Sequence, residues 1–142
     1  MINLVKLSAE DVDKILKLES DFKDAWNKSM LESAFNQERF HCFGLVEDDK
    51  LVSVCYINLA GKDADIESIY TLKEHRKKGY AKILLDSVID FIKSKGVDRI
   101  FLEVRTSNTI AKSLYKKLGF ESISIRKKYY EDEDGEVMLN NL

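Results

Sequence analysis

The spacing of apolar side chains changes period several times along the chain. Ile2 to Leu7 reads as a short strand. From Ser8 onward Val12, Ile15, Leu16 and Phe22 fall on a helical stripe, and Ser8 with Asp11 three residues later has the form of a capping box. Trp26 and Asn27 interrupt; Leu31, Ala34 and Phe35 then predict a second short helix near Lys28 to Asn36, with Trp26 expected as a core anchor. Two strand-like runs, His41 to Val46 and Leu51 to Leu59, flank Glu47-Asp48-Asp49-Lys50, a polar turn of hairpin length. Gly61-Lys62-Asp63 turns the chain into a third strand, Asp65 to Thr71. After Gly79 the period becomes helical: Ala81, Leu84, Leu85, Val88 and Ile92 share one face, and Gly96 ends the helix near Lys95. Arg99 to Val104 is a strand. Ala111, Leu114, Tyr115 and Leu118 mark a shorter helix closed by Gly119. Phe120 to Arg126 and Val137 to Leu142 are the last strands, with a turn rich in tyrosine and acid between them.

The predicted order is β-α-α-β-β-β-α-β-α-β-β, seven strands and four helices. An antiparallel meander excludes a fully alternating βαβ protein, but the strand-helix-strand in the middle needs a crossover, so at least one parallel pair is expected. The fold class is therefore a mixed α/β sheet flanked by helices. The chain lacks proline, repeats and low-complexity linkers, and residues 1–142 are read as one domain.

Composition narrows the function. Hydrophobic residues at 44% and charged residues at 34% are ordinary for a globular protein. A net charge of −2 gives no basic field for nucleic acid or a membrane surface. No apolar run approaches the ~20 residues of a membrane span, and the N-terminal segment does not read as a signal peptide. A cytoplasmic protein, monomeric or weakly dimeric, is expected. Cys42 and Cys55 read as reduced thiols packed as small hydrophobes. His41 and His75 have no ligand-type partner four residues on, so no metal site is expected.

Two segments carry candidate chemistry. Residues 73 to 82, Lys-Glu-His-Arg-Lys-Lys-Gly-Tyr-Ala-Lys, form a basic turn into the long helix. Free N–H groups and the positive end of the helix dipole meet there and suit a phosphate or pyrophosphate. Gly79 would let backbone approach the anion, Ala81 would keep the first turn open, and Lys77, Lys78 and Lys82 would add charge at the rim. The plainer alternative is a solvated loop. Neither GxxxxGK[ST] nor GxGxxG is present. The second segment is Leu102 to Phe120. Glu103 stands in an otherwise apolar strand and needs a reason: an ion pair with Arg105 on the same face, or a proton-transfer role. The ion pair is the simpler of the two. Ser107 or Asn108 is a natural N-cap. Tyr115 lies on an apolar stripe, either as a core tyrosine or with its phenol aimed at a reacting atom.

Together these segments resemble the GCN5-related N-acetyltransferase (GNAT) superfamily. Arg76-Lys77-Lys78-Gly79-Tyr80-Ala81 has the form R-x-x-G-x-A of its coenzyme A pyrophosphate loop. Leu102-Glu103-Val104-Arg105-Thr106-Ser107-Asn108, Leu114-Tyr115, Leu118-Gly119-Phe120, Arg126, Tyr129-Tyr130 and Met138 resemble its ribosomal-protein-alanine N-acetyltransferase branch (RimI type), and Trp26 falls where that branch often has tryptophan. The resemblance implies a splayed pair of parallel strands, one ending at Thr71 and one carrying Glu103, with acetyl-CoA in the wedge. Backbone groups of Ile69, Tyr70 and Thr71 would meet the pantetheine arm. Arg76, Lys77, Lys78, Gly79, Tyr80, Ala81 and Lys82 would surround the pyrophosphate, and Asn108 would contact the cofactor. Glu103 would be the general base and Tyr115 the general acid, with no metal. The implied acceptor is a protein N-terminus, foremost a small-subunit ribosomal protein; a small amine, amino acid or lysine side chain is the alternative, and a non-catalytic coenzyme A module the third reading. The chain departs from the branch pattern in lacking a proline near Lys73, in Arg76 and Ala81, and in a shortened Gly135-Glu136-Val137-Met138. The acidic turn Glu131 to Asp134 would attract a cationic acceptor or simply be a solvated hairpin tip.

Overall fold

A computed structural model describes residues 1–142. The strands are β1 (Ile2–Leu7), β2 (Phe40–Glu47), β3 (Lys50–Ala60), β4 (Asp63–Thr71), β5 (Arg99–Arg105), β6 (Glu121–Tyr130) and β7 (Glu133–Asn141); the helices are α1 (Val12–Leu18), α2 (Lys28–Phe35), α3 (Tyr80–Ser94) and α4 (Thr109–Lys117). One mixed sheet runs β1-β2-β3-β4-β5-β7-β6, and β4–β5 is its one parallel pair. No helix is long and apolar enough to cross a membrane.

Local chemistry sets these boundaries. Ser8 and Asp11 close the expected capping box around a short 3-10 turn, Ala9–Asp11, ahead of α1. The Asn27 side chain accepts from Met30 N–H at 2.8 Å and starts α2. Asp48 and Asp49 both take positive φ, 50° and 66°, which a two-residue hairpin turn requires. Gly96, at φ 74°, follows α3.

Two boundaries differ from expectation. α1 ends at Leu18, so Phe22 lies outside it, although its ring still stacks on Tyr70 at 4.7 Å. Ser20 and Asp21 favour non-helical backbone and release the helix there. The tyrosine- and acid-rich stretch is mostly strand: β6 runs to Tyr130, which pairs with Glu133 across a tight tip. Lys128 at φ 50° bulges this hairpin, and its N–H donates to Asp134 Oδ1 at 2.8 Å, which holds the irregular register.

Each sheet face has its own core. On one, Leu84, Leu85, Val88 and Ile92 of α3 pack on Ile57, Ala64, Ile100 and Leu102, with Tyr115 and Phe120 at the α4 end. On the other, Ile15 and Leu18 of α1 and Leu31 of α2 pack on Val54 and Tyr56. Cys42 and Cys55 are free and buried, and burial pushes the Cys55 thiol up to about 12.

The middle of the sheet comes apart. β4 and β5 pair only from Asp63↔Arg99 to Ile66↔Leu102. Beyond that, β4 follows β3 to Thr71 and β5 follows β7 to Arg105. The register of β3 on β4 shifts between Tyr56↔Ser68 and Ile57↔Ile66, leaving Glu67 as an extra residue on β4. Such a bulge bends its strand and increases local twist, which carries β4 away from β5.

Candidate active site

A cavity of about 760 Å³ opens where the two strands part. β4 contributes Asp65, Glu67, Ser68 and Ile69, and β5 contributes Glu103 and Arg105. Asn108 and Tyr115 line the same space. The segment between α1 and α2 adds Phe22 and Trp26, and β6 adds Tyr129 and Tyr130. Trp26 is both wall and anchor, since its ring lies 5.0 Å from that of Tyr56.

Glu103 is held at one oxygen only. Arg126 Nη1 donates to Oε1 at 2.6 Å, while Oε2 is buried without a hydrogen-bond partner. The expected pairing with Arg105 does not form. Arg105 turns instead to Asp24, Asp132 and Glu133, because their carboxylates fit its planar fork at 2.7 to 3.3 Å. The partner of Glu103 comes from β6, two strands away in the sheet. An unpaired carboxylate oxygen in a buried site is costly unless something fills it, and a protonated amine would do so.

Tyr115 is buried on α4 with its ring 6.0 Å from that of Phe120. Burial pushes its phenol well above the ordinary tyrosine range, with Cys55 and Tyr130 adding to the shift, so it stays protonated at neutral pH and is available as a donor. Of the two candidate caps, Asn108 starts α4: its Oδ1 accepts from Ala111 N–H at 3.2 Å.

The remaining predicted residues lie beyond the cavity, along β4 and at the start of α3. Leu72 N–H donates to Val52 O at 2.9 Å. Alternation along the strand then turns the Tyr70 N–H toward β3 and those of Ile69 and Thr71 toward the unpaired edge. Ser53 Oγ donates to Tyr70 O at 3.0 Å. Arg76 folds back on the strand end, its Nε donating to Thr71 O at 3.0 Å and its guanidinium 5.3 Å from the Tyr70 ring centroid. Tyr80 anchors the start of α3: its hydroxyl donates to Glu47, which also lies 3.4 Å from His75 Nε2.

Gly79 is the N-cap of α3 at φ 81°, with no side-chain cap and no acidic residue in the first turn. Lys77 also has positive φ, 64°, a strained value for lysine. The first N–H groups of α3, including those of Ala81 and Lys82, thus point out of the helix end without an intrahelical acceptor. Lys82 is tied to Asp86 at 2.8 Å, whereas Lys77 and Lys78 have no ion-pair partner. An open amide edge leading to a helix N-terminus flanked by lysines fits an extended arm ending in a pyrophosphate, which is the shape and charge of coenzyme A.

Sequence reasoning missed Arg126 as the partner of Glu103 and Arg105 as a hub. Both depend on cross-strand placement, which spacing along the chain does not encode. Three of the four acids of the hairpin tip are already paired: Asp132 is bound to Lys23 and Arg105, Glu133 to Arg105, and Asp134 to Lys127, which leaves only Glu131 exposed without a partner.

Comparison with known proteins identifies the family. The model of the Acetyltransferase (GNAT) family matches residues 12–120. The ribosomal-protein-bS18-alanine N-acetyltransferase of Escherichia coli is 32% identical over 111 residues, covering 78% of this chain and 74% of that protein. The enzyme of the same name from Haemophilus influenzae is 31% identical over 132 residues, covering 92% and 88%. The crystal structure of the ribosomal-protein-S18-alanine N-acetyltransferase from Escherichia coli matches with a TM-score of 0.92 at 28% identity, over 99% of this chain and 94% of that one. The chain belongs to the GNAT family and is an acetyl-CoA-dependent N-acetyltransferase.

Proposed function

We propose that this enzyme acetylates the α-amino terminus of a protein, with a small-subunit ribosomal protein as target. The carrying observation is the free, buried Oε2 of Glu103 in the same cavity as the buried hydroxyl of Tyr115. The names of the two enzyme relatives support the choice of acceptor.

An α-amine titrates near about 7.7–8.0, so much of it is protonated and unreactive at neutral pH. Glu103 accepts that proton at Oε2 while Arg126 holds its other oxygen in place. Acetyl-CoA supplies the electrophilic thioester carbonyl. The outward N–H groups of Ile69 and Thr71, on the unpaired edge of β4, would be donors toward the thioester carbonyl, and Tyr70 fixes the strand that carries them. The freed amine attacks that carbonyl and the C–S bond breaks; Tyr115 gives its phenolic proton to the departing sulfur, and the second proton lost by the nitrogen as the amide forms restores the phenol. The N–H groups of Lys77 to Lys82 and the side chains of Arg76, Lys77 and Lys78 hold the pyrophosphate end, with Gly79 and Ala81 leaving room for it. Asn108 steadies the cofactor where α4 begins. The aromatic walls, Phe22, Trp26, Tyr129 and Tyr130, suit the entry of a peptide.

The test is acetylation of a panel of peptides with free N-termini, alongside peptides blocked at the N-terminus but carrying lysine, and small amines, with products located by mass spectrometry. The acetyl group is expected on the α-amine. Transfer confined to lysine side chains or small amines would refute the proposed acceptor.

A further inference from the structure

Arg105 joins two segments that wall the acceptor end of the cavity. Its Nε and Nη2 grip Asp24 at both carboxylate oxygens, at 2.9 and 2.7 Å. Its Nη1 reaches Asp132 at 2.8 Å and Glu133 at 3.3 Å, and the guanidinium lies 4.4 Å from the Tyr130 ring centroid. Asp24 sits between Phe22 and Trp26 in the connection from α1 to α2, while Tyr130, Asp132 and Glu133 form the tip of the β6–β7 hairpin. The Tyr130 hydroxyl donates to the Glu103 carbonyl at 3.3 Å, so the pinned ring touches the strand of the proposed base. Glu133 also accepts from Thr106 Oγ1 at 3.1 Å and Ser107 N–H at 2.6 Å, in the turn leading to Asn108 and α4. One guanidinium therefore links both walls to the elements that carry Glu103 and Tyr115. Lys23 adds a second tie to Asp132.

The physical reason for arginine is its shape. A connection with no regular structure and a hairpin tip are the segments most prone to open locally. A planar fork with several donors fixes the direction and spacing of the carboxylates around it, and a lysine point charge does not. The Arg105 side chain is 17% exposed and its partners Asp24 and Glu133 are 30% and 22% exposed, so solvent weakens those contacts less than the one to Asp132, which is 50% exposed.

We propose that Arg105 is a positioning residue that sets the separation of the α1–α2 connection and the hairpin tip, and with it the width of the acceptor entrance. It does not touch the reacting atoms. The inference rests on the cavity being the acceptor site.

Arg105→Lys, Arg105→Met and Asp24→Asn test it. With an N-terminal peptide as acceptor, KM for the peptide is expected to rise about tenfold or more in both Arg105 variants and less in Asp24→Asn, with KM for acetyl-CoA within about twofold. Hydrogen exchange is expected to speed up in residues 19–27 and 128–134 while α3 and β2 stay protected. Unchanged peptide KM in both Arg105 variants overturns the proposal, as does an equal rise for peptide and acetyl-CoA, which would make the role one of general folding. If the wild-type enzyme acetylates no peptide N-terminus, the acceptor reading fails; the exchange result then decides the clamp, and unaltered exchange in both segments overturns it.

Discussion

Glu19 shows how far one side chain can depart from what its position in the sequence suggests. It directly follows α1, is 2% exposed, accepts from the Tyr56 hydroxyl at Oε1 and leaves Oε2 buried without a partner. Burial lifts its carboxyl from 4.5 to about 7. The sign is set by the protonated form being favoured in the folded state. Below about pH 4.5 both folded and unfolded chains hold the proton and the group is neutral in its effect. As pH rises to about 7 only the folded chain still holds it, so folding loses stability, up to roughly 3 kcal/mol, and the penalty is constant above that. Glu19→Gln removes it. The variant is expected to gain over wild type progressively between about pH 5 and 7 in denaturant unfolding, and a difference independent of pH would rule this out. Nothing in the sequence distinguished Glu19 from the acids around it, because its burial comes from β3 closing over the end of α1. Glu103 was readable as an odd acid in an apolar strand, but its partner was not. Residues two apart share a face, which pointed to Arg105; Arg126 is brought in by the pairing of β6 on β7 and β7 on β5.

At the scale of elements, α3 was the most legible. Its apolar period and closing glycine located it to within a residue or two, since the face they mark is the face that is buried. Leu84→Ala, at a site with 0% exposure, is expected to cost about 2–5 kcal/mol in denaturant unfolding. The start of the helix buries Tyr80 in the core and also carries the proposed pyrophosphate site. A Cβ at Gly79 would meet no protein atom within 4 Å, but φ there is 81°. Gly79→Ala is therefore expected to cost only about 1 kcal/mol of stability. By placing a methyl group at the helix end it should weaken acetyl-CoA binding, measured by calorimetry, by about tenfold or more. Undiminished binding would move the pyrophosphate elsewhere. The last hairpin was the least legible element. Its bulge at Lys128 breaks strand alternation, and its acids read either as a lure for a cationic acceptor or as a solvated tip, whereas the fold ties Asp132, Glu133 and Asp134 to Arg105, Lys23 and Lys127. Gly135 shows how closely that hairpin packs: a Cβ there would come within 3.0 Å of Tyr129 Cβ, a residue of the cavity wall.

Over the whole molecule, the order of strands and helices and the need for a parallel pair followed from periodicity, but the wedge did not. It depends on Glu67 being an extra residue against β3 and on pairing of β4 with β5 stopping at Ile66, and no single segment signals either. The resemblance to the family supplied the splay, and the geometry gives its cause. Because the proposed cofactor site spans β4, β5, α3 and α4, binding should act on the stability of the fold as a unit: at a hundredfold excess over Kd, acetyl-CoA is expected to add about 2.7 kcal/mol and raise Tm. The central claim is that the wedge places a proton-accepting carboxylate and a proton-donating phenol on either side of one transfer. It is tested most directly by kcat for an N-terminal peptide, with both substrates saturating, in wild type, Glu103→Gln and Tyr115→Phe. Each variant is expected to lose about 10²–10⁴ in kcat near neutral pH while keeping its affinity for acetyl-CoA within about twofold. Wild-type turnover in either variant would contradict the account.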